Sequence, residues 1–399
     1  MLKIGIIREG KTPPDKRVPF SPKQAYLLSQ KFNAKVQVQP SPIRSYSDQE
    51  YIDAGLELNE DLSQSDILFG VKEVNIADLI PEKTYLFFSH TIKEQPYNRD
   101  LIKAMVAKKI SLVDYECLRD GEGSRIIGFG YFAGLVGAYN TIRAYGLRKK
   151  MFDLKPANLC FDKKEMLSEL HRIDTGALKI ILTGAGRVAQ GAIEILRELG
   201  FEEVQEDVFN SVENKKVYLA LNYNQFYTFP GSTEFDRNQF FAHSERYVSR
   251  LSHFTQEADI LISGHYWDGK SAPLFQMEDL NKPTWNIEVI GDITCDINGS
   301  IPTTIRPSSI QDPIYGIDKI SFKECAAFDE NAVTIMAVDN LPTELPRDAS
   351  AYFGEELLNN VVPLFLKDNE AKTLEKATIL KKGELTPYYA YLKNYVYGD

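Results

Sequence analysis

The sequence predicts an α/β protein of two domains, each built on a parallel sheet, with an active-site cleft separating them. At 399 residues the chain exceeds the size at which one hydrophobic core stops growing, which favours two domains. Short apolar runs alternate with helical patterns through the first third, as in a parallel sheet. Near residue 180 a second β-branched run passes into a glycine-rich turn and then into a segment of helical periodicity, so a second sheet begins there.

The elements follow in order. Residues 3–7 read as a strand, and Ser21-Pro22 as the N-cap and first helical residue of a helix over 22–32. A strand over 35–39 comes next. Three apolar runs, 66–70, 84–88 and 110–114, then each deliver one chemically capable side chain two residues past the run: Lys72, His90 and Glu116. A helix over 98–108 separates the second run from the third. Ligands of open parallel sheets sit outside the carboxyl ends of the strands, so these three side chains are expected to meet in one place as an acid/base set. Residues 1–141 form the first domain in this reading, and 142–349 the second. The helix over 129–146 leads from one to the other, and its small residues Gly130, Ala133, Gly134 and Gly137 would let another backbone come close.

The second domain opens with Thr183-Gly184-Ala185-Gly186-Arg187-Val188-Ala189 between a strand and a helix over 188–199. This is the G-x-G-x-x-A fingerprint of a Rossmann dinucleotide fold in the required strand–turn–helix context. Gly184 makes the tight turn and Gly186 lets the backbone approach a pyrophosphate. Arg187 and Val188 open the helix whose N-terminal N–H groups and dipole would hold it. An acidic residue about 20 positions on, which would bind a ribose 2′-hydroxyl, is Glu206 or Asp207. Strands at 260–263, 287–290 and 334–338 complete the sheet. Residues 350–399 read as mainly helical.

Composition excludes several classes. The net charge is −10 and no basic stripe is interleaved with aromatic residues, so nucleic acid is not an expected partner. The most apolar helix carries Asn140 and Arg143 and is interrupted by glycines, so no membrane span is expected. Cys117, Cys160, Cys295 and Cys325 lie far apart without metal-type spacing, and the start reads as a strand rather than a signal peptide. No metal is expected, and a reducing, cytoplasmic compartment is.

The chain resembles a known family through Val71-Lys72-Glu73, Phe88-Ser89-His90-Thr91-Ile92-Lys93, Asp114-Tyr115-Glu116, residues 125–134 and residues 338–350. It is similar to the lysine-forming saccharopine dehydrogenases, above all to the lysine–ketoglutarate reductase half of aminoadipic semialdehyde synthases, and more distantly to alanine dehydrogenase. The resemblance implies that residues 350–399 pack back onto the first domain. It also implies interconversion of saccharopine with L-lysine and 2-oxoglutarate, by hydride transfer between an imine and NAD(H) or NADP(H). The semialdehyde-forming half has no counterpart here, so degradation is expected to stop at saccharopine.

Residue by residue, Lys72 and His90 match the catalytic pair. Asp339 matches an aspartate supplied to the histidine by the cofactor domain on closure. Arg17, Lys93 and Arg125 match cationic positions for substrate carboxylates, and Glu73 and Glu116 match acids that balance that charge. Asp296 resembles the nicotinamide-end aspartate of alanine dehydrogenase, with a loop-capping role equally open. The related reductases use NADPH, for which Lys215-Lys216 offers charge, so cofactor choice stays open, as does monomer against homo-oligomer. Two alternatives remain: an alanine-dehydrogenase-like enzyme using ammonia, and a nucleotide-binding sensor without catalysis.

Overall fold

The computed structural model describes residues 1–232, 234–366 and 371–398. The chain divides into two compact units, Met1–Phe129 with Pro346–Asp399, and Gly130–Leu345. The first division therefore falls at the start of the long helix rather than inside it at 141. The reason is that this helix packs along its length within the second unit. Residues 367–370 and 399, part of the C-terminal segment assigned to the first domain, lie outside the described residues.

The strands of the first unit are β1 (Leu2–Ile6), β2 (Ala34–Val38), β3 (Glu57–Leu58), β4 (Ile67–Phe69), β5 (Thr84–Phe87) and β6 (Ser111–Asp114). Its helices are α1 (Pro22–Lys31), α2 (Asp48–Asp53) and α3 (Arg99–Ala107). At the start of α1 the Ser21 N–H donates to Gln24 Oε1 at 3.0 Å, which fixes the helix entry that Ser21-Pro22 announces. The second unit carries α4 (Gly130–Lys149), α5 (Lys163–Leu170), β7 (Leu178–Thr183), α6 (Arg187–Glu198), β8 (Glu202–Glu203), α7 (Glu206–Ser211) and β9 (Lys216–Leu221). Strands β10 (Tyr227–Thr228), β11 (Val248–Ser249), β12 (Ile260–Ser263), β13 (Val289–Asp292), β14 (Ile314–Asp318), β15 (Glu324–Cys325) and β16 (Ala332–Met336) follow. The chain then returns to the first unit, which gains β17 (Thr378–Lys381) and β18 (Glu384–Leu385).

The first unit's sheet runs β18-β17-β6-β5-β4-β1-β2-β3, parallel from β6 to β3. Its central strands are buried on both faces and read as unbroken apolar runs, because helices cover a parallel sheet on both sides. The C-terminal segment is not all helix. Lys382 and Gly383, at φ +51° and +84°, turn the chain into the β17–β18 hairpin, and β17 pairs antiparallel with β6, covering what would be an open edge. Phe353, Leu357 and Val361 from the same segment join the core of Ile6, Leu68, Leu86 and Leu112.

The second sheet runs β15-β14-β16-β13-β12-β7-β9-β8, parallel from β16 to β8, with β14 antiparallel to both β16 and β15 at one edge. Strand β9, a Val-Tyr-Leu-Ala-Leu run that the sequence reading passed over, lies between β7 and the two-residue β8. Helix α4 crosses α6 at backbone contact. A Cβ on Gly134 would overlap the Val188 carbonyl, and one on Gly191 the Tyr131 carbonyl, so only glycine fits at this crossing.

Candidate active site

Strands β1, β4, β5 and β6 are parallel neighbours, and each is followed by an ionisable side chain at the same end of the sheet. Lys72 and Glu73 follow β4, His90 follows β5 and Glu116 follows β6. The sheet thus brings together the three residues selected by the two-past-the-run spacing, and it adds a fourth. Glu9, two residues beyond the opening run, is buried, and its carboxylate accepts the Val71 N–H at 2.7 Å and the Lys72 N–H at 2.8 Å. It thereby pins the turn that presents Lys72. Sequence reading missed Glu9, although the spacing that selected Lys72 and His90 also selects it. Burial, with Asp15 nearby, raises the Glu9 carboxyl to about 8, against the opposing pull of the two N–H donors and Arg17.

His90 has φ +53°, a left-handed conformation uncommon outside glycine, so the packing around it holds a backbone cost of order 1 kcal/mol. Its ring stacks on Phe88 with centroids 6.4 Å apart, and its two nitrogens point at two acids. Nδ1 lies 3.6 Å from Glu116 Oε2, and Nε2 lies 3.9 Å from Glu73 Oε1. Both carboxylate oxygens are buried and have no hydrogen-bond partner at ordinary distance. A proton on either face of the imidazole would therefore meet an oxygen in need of one.

The remaining oxygens are paired. Glu73 Oε2 is 3.0 Å from Lys11 Nζ, while Glu116 Oε1 accepts from Arg125 Nη2 and lies 3.5 Å from Lys93 Nζ. Burial alone would raise the Glu116 carboxyl. The neighbouring His90, Arg125 and Lys93 overcome it and hold the group at about 2. The Lys72 ammonium is held below its ordinary value, first by burial and then by Arg17 and Lys11. A lysine in that setting gives up its proton more readily.

Arg17 is almost wholly buried. Its Nε and Nη2 grip Asp15 at 3.0 and 2.6 Å, and its guanidinium lies over the Phe129 ring at 4.2 Å. Two of its nitrogens are therefore committed to Asp15, and its side chain is far less exposed than those of Lys93 and Arg125, which pair with Glu116.

In the second unit Gly184 has φ +102°, and a Cβ there would meet the backbone of Gly264 and His265 within 3 Å, so the tight turn requires glycine. A Cβ on Gly186 would meet nothing within 4 Å, and Gly186 caps α6 without a side-chain hydrogen bond. Open space before a 12-residue helix suits a pyrophosphate, with Arg187 and Val188 in the first helical turn. Glu206 and Asp207 begin α7 after β8, one strand further from this turn than β9. Lys216 opens β9 at the opposite end of the sheet, with Nζ 2.9 Å from Asp174 Oδ1. That position removes the Lys215-Lys216 pair from any 2′-phosphate.

Asp339 follows β16 and is exposed, with Oδ1 3.9 Å from Cys295 Sγ. Asp296 is exposed, while its neighbour Asp292 is buried and takes hydroxyl hydrogen bonds from Thr294 and Thr304, each at 2.6 Å. No group of three metal-ligating side chains occurs among the described residues, and none of their helices is long and apolar enough to cross a membrane.

Residues 5–136 match the N-terminal domain, and residues 166–388 the C-terminal domain, of alanine dehydrogenase/PNT. The chain belongs to that family. It is 28% identical to alpha-aminoadipic semialdehyde synthase of Arabidopsis thaliana, over 98% of this chain and 41% of that protein. The mitochondrial enzyme of Rattus norvegicus is also 28% identical, over 98% and 47%. This chain thus spans less than half the length of these relatives. It is 24% identical to saccharopine dehydrogenase [NAD(+), L-lysine-forming] of Yarrowia lipolytica, over 88% of this chain and 90% of that one. Among solved structures it shares its fold with an L-alanine dehydrogenase, at TM-score 0.63 and 17% identity over 99% of each chain. A transhydrogenase from Sinorhizobium meliloti follows at 0.60 and 15%, over 96% of this chain and 100% of that one.

Proposed function

We propose that this chain interconverts saccharopine with L-lysine and 2-oxoglutarate, with a nicotinamide cofactor bound at Gly184, Gly186, Arg187 and Val188. The observation that carries the reading is His90 set between two buried, unsatisfied carboxylate oxygens, with a lysine of destabilised ammonium following the neighbouring strand. Imine formation needs a base for the ε-ammonium of the incoming lysine and an acid for the departing hydroxyl of the carbinolamine. Lys72 suits the first task because burial and two neighbouring cations disfavour its own proton. His90 suits the second, since its two ring nitrogens lie 3.9 and 3.6 Å from carboxylate oxygens of Glu73 and Glu116, which orient the ring for proton transfer.

Lys93 and Arg125, more exposed than Arg17, supply charge for substrate carboxylates, and Asp339 completes the residue set carried over from the relatives. When bound, the nicotinamide donates or accepts the hydride. The saccharopine dehydrogenases named above fit this reading, and a cytoplasmic location belongs to it. The deciding measurement is NADH or NADPH oxidation with lysine plus 2-oxoglutarate, compared with pyruvate plus ammonia. Oxidation should require both lysine and 2-oxoglutarate and should survive a chelator. Equal or faster turnover with pyruvate and ammonia would move the chain to alanine dehydrogenase chemistry.

A further inference from the structure

Resting on that reading, we propose that Asn222, at the end of β9, reads the adenosine ribose of the cofactor and selects NAD(H) over NADP(H). The inference comes from strand order. In a dinucleotide fold the ribose next to the pyrophosphate extends over the end of the strand beside the first one. Here that neighbour is β9, paired with β7 along its whole length from Leu178↔Lys216 to Thr183↔Leu221, whereas β8 pairs only with β9. The glycine turn is tied to the same place, because the Gly184 N–H donates to the Leu221 carbonyl at 2.8 Å. The next residue is Asn222.

Asn222 is half-buried and oriented. Its N–H donates to Gln225 Oε1 at 3.0 Å, and its Oδ1 accepts the Tyr223 N–H at 2.8 Å, which leaves the amide nitrogen as the side-chain end able to donate to a ligand. Tyr223 anchors the turn by stacking on Phe240 with ring centroids 5.6 Å apart. Neither side chain carries charge. A ribose hydroxyl is satisfied by such a neutral partner, whereas a 2′-phosphate carries nearly two negative charges and calls for cations. Arg187 sits at the pyrophosphate cradle itself, and Lys216 lies at the other end of β9. The acids Glu206 and Asp207 begin α7, after the strand beyond β9, and add no positive charge for a phosphate.

The test is a fluorescence titration of the full chain with NADH and with NADPH, without amino substrate, after circular dichroism has shown that each variant is folded. Wild type should bind NADH about tenfold more tightly than NADPH or better, the scale of one charge-assisted contact. Asn222→Asp keeps the oxygen that holds Tyr223 and should weaken NADPH selectively, while Asn222→Arg should bring the two affinities together. Glu206→Ala with Asp207→Ala should leave the NADH affinity within about twofold, because neither acid touches the ribose. Equal or tighter NADPH binding by wild type overturns the inference. So does NADH affinity that falls in the Glu206/Asp207 variant and ignores every change at 222. A chain that bound neither dinucleotide would overturn this inference together with the reading beneath it. NADH binding without oxidation dependent on lysine and 2-oxoglutarate would overturn the proposed reaction alone.

Discussion

Among single residues, Glu116 has the most demanding position. Its side chain is only 6% exposed and faces His90, Lys93 and Arg125 together. Its carboxyl is held at about 2 against an ordinary 4.5, so the folded state binds its proton less tightly than the unfolded state does. The resulting stability is complete above the unfolded value, near 4.5, and is lost as pH falls through about 2. Arg125 and Lys93 are half exposed and screened, so the contribution is about 2 kcal/mol rather than the full amount of the shift. Glu116→Gln should therefore flatten the dependence of urea-unfolding free energy on pH between these values. An unchanged slope would mean that its ion pairs are solvent-averaged. Glu9 shows how near the sequence came to the full set, since one spacing rule applied to all four strands names it. What the rule could not show is the direction of its side chain, back onto two backbone N–H groups, because that depends on the turn of a strand 60 residues away.

Among the elements, the crossing of α4 and α6 was visible in advance as a row of small residues, and the structure supplies the partner. At Gly134 an added methyl would overlap the Val188 carbonyl, whereas at Gly130 it would meet Arg187 and Val188 side-chain carbons at 3.5 Å, an ordinary contact. Gly134→Ala should thus cost about 3 kcal/mol, because backbone must move, while Gly130→Ala should stay within about 1 kcal/mol of wild type. Thermal unfolding of both variants checks this, and similar losses would mean that the helices separate easily. The same scale shows where sequence reading fell short. Strand β9 is buried along nearly all its length and lacks the alternation that marks a half-exposed strand, so nothing local distinguished it from the helical segments around it. Glu206 and Asp207 follow from the spacing of about 20 residues beyond the glycines, a count that takes no account of β9 lying beside β7. The β17–β18 hairpin was hidden similarly, since its strands are short and follow the helical Ala371–Ala377.

In the molecule as a whole, the residues proposed to move protons belong to the first unit and those proposed to hold the dinucleotide to the second. That division gives the function its sharpest test. A single positioned acid or base contributes about 10²–10⁴-fold to turnover, so Lys72→Met and His90→Gln should each lower turnover within that range. Neither should alter the NADH dissociation constant, because neither belongs to the unit that carries Gly184 and Gly186. If the two act on one imine as a unit, the double variant should lose less than the product of the single losses. Independent roles would give the full product. Turnover at saturating cofactor and NADH titration on the same preparations separate these cases. If either single variant lost NADH binding in proportion to turnover, the assignment of proton transfer to the first unit would fail. If both kept wild-type turnover, His90 between its two acids would be a strained turn and nothing more.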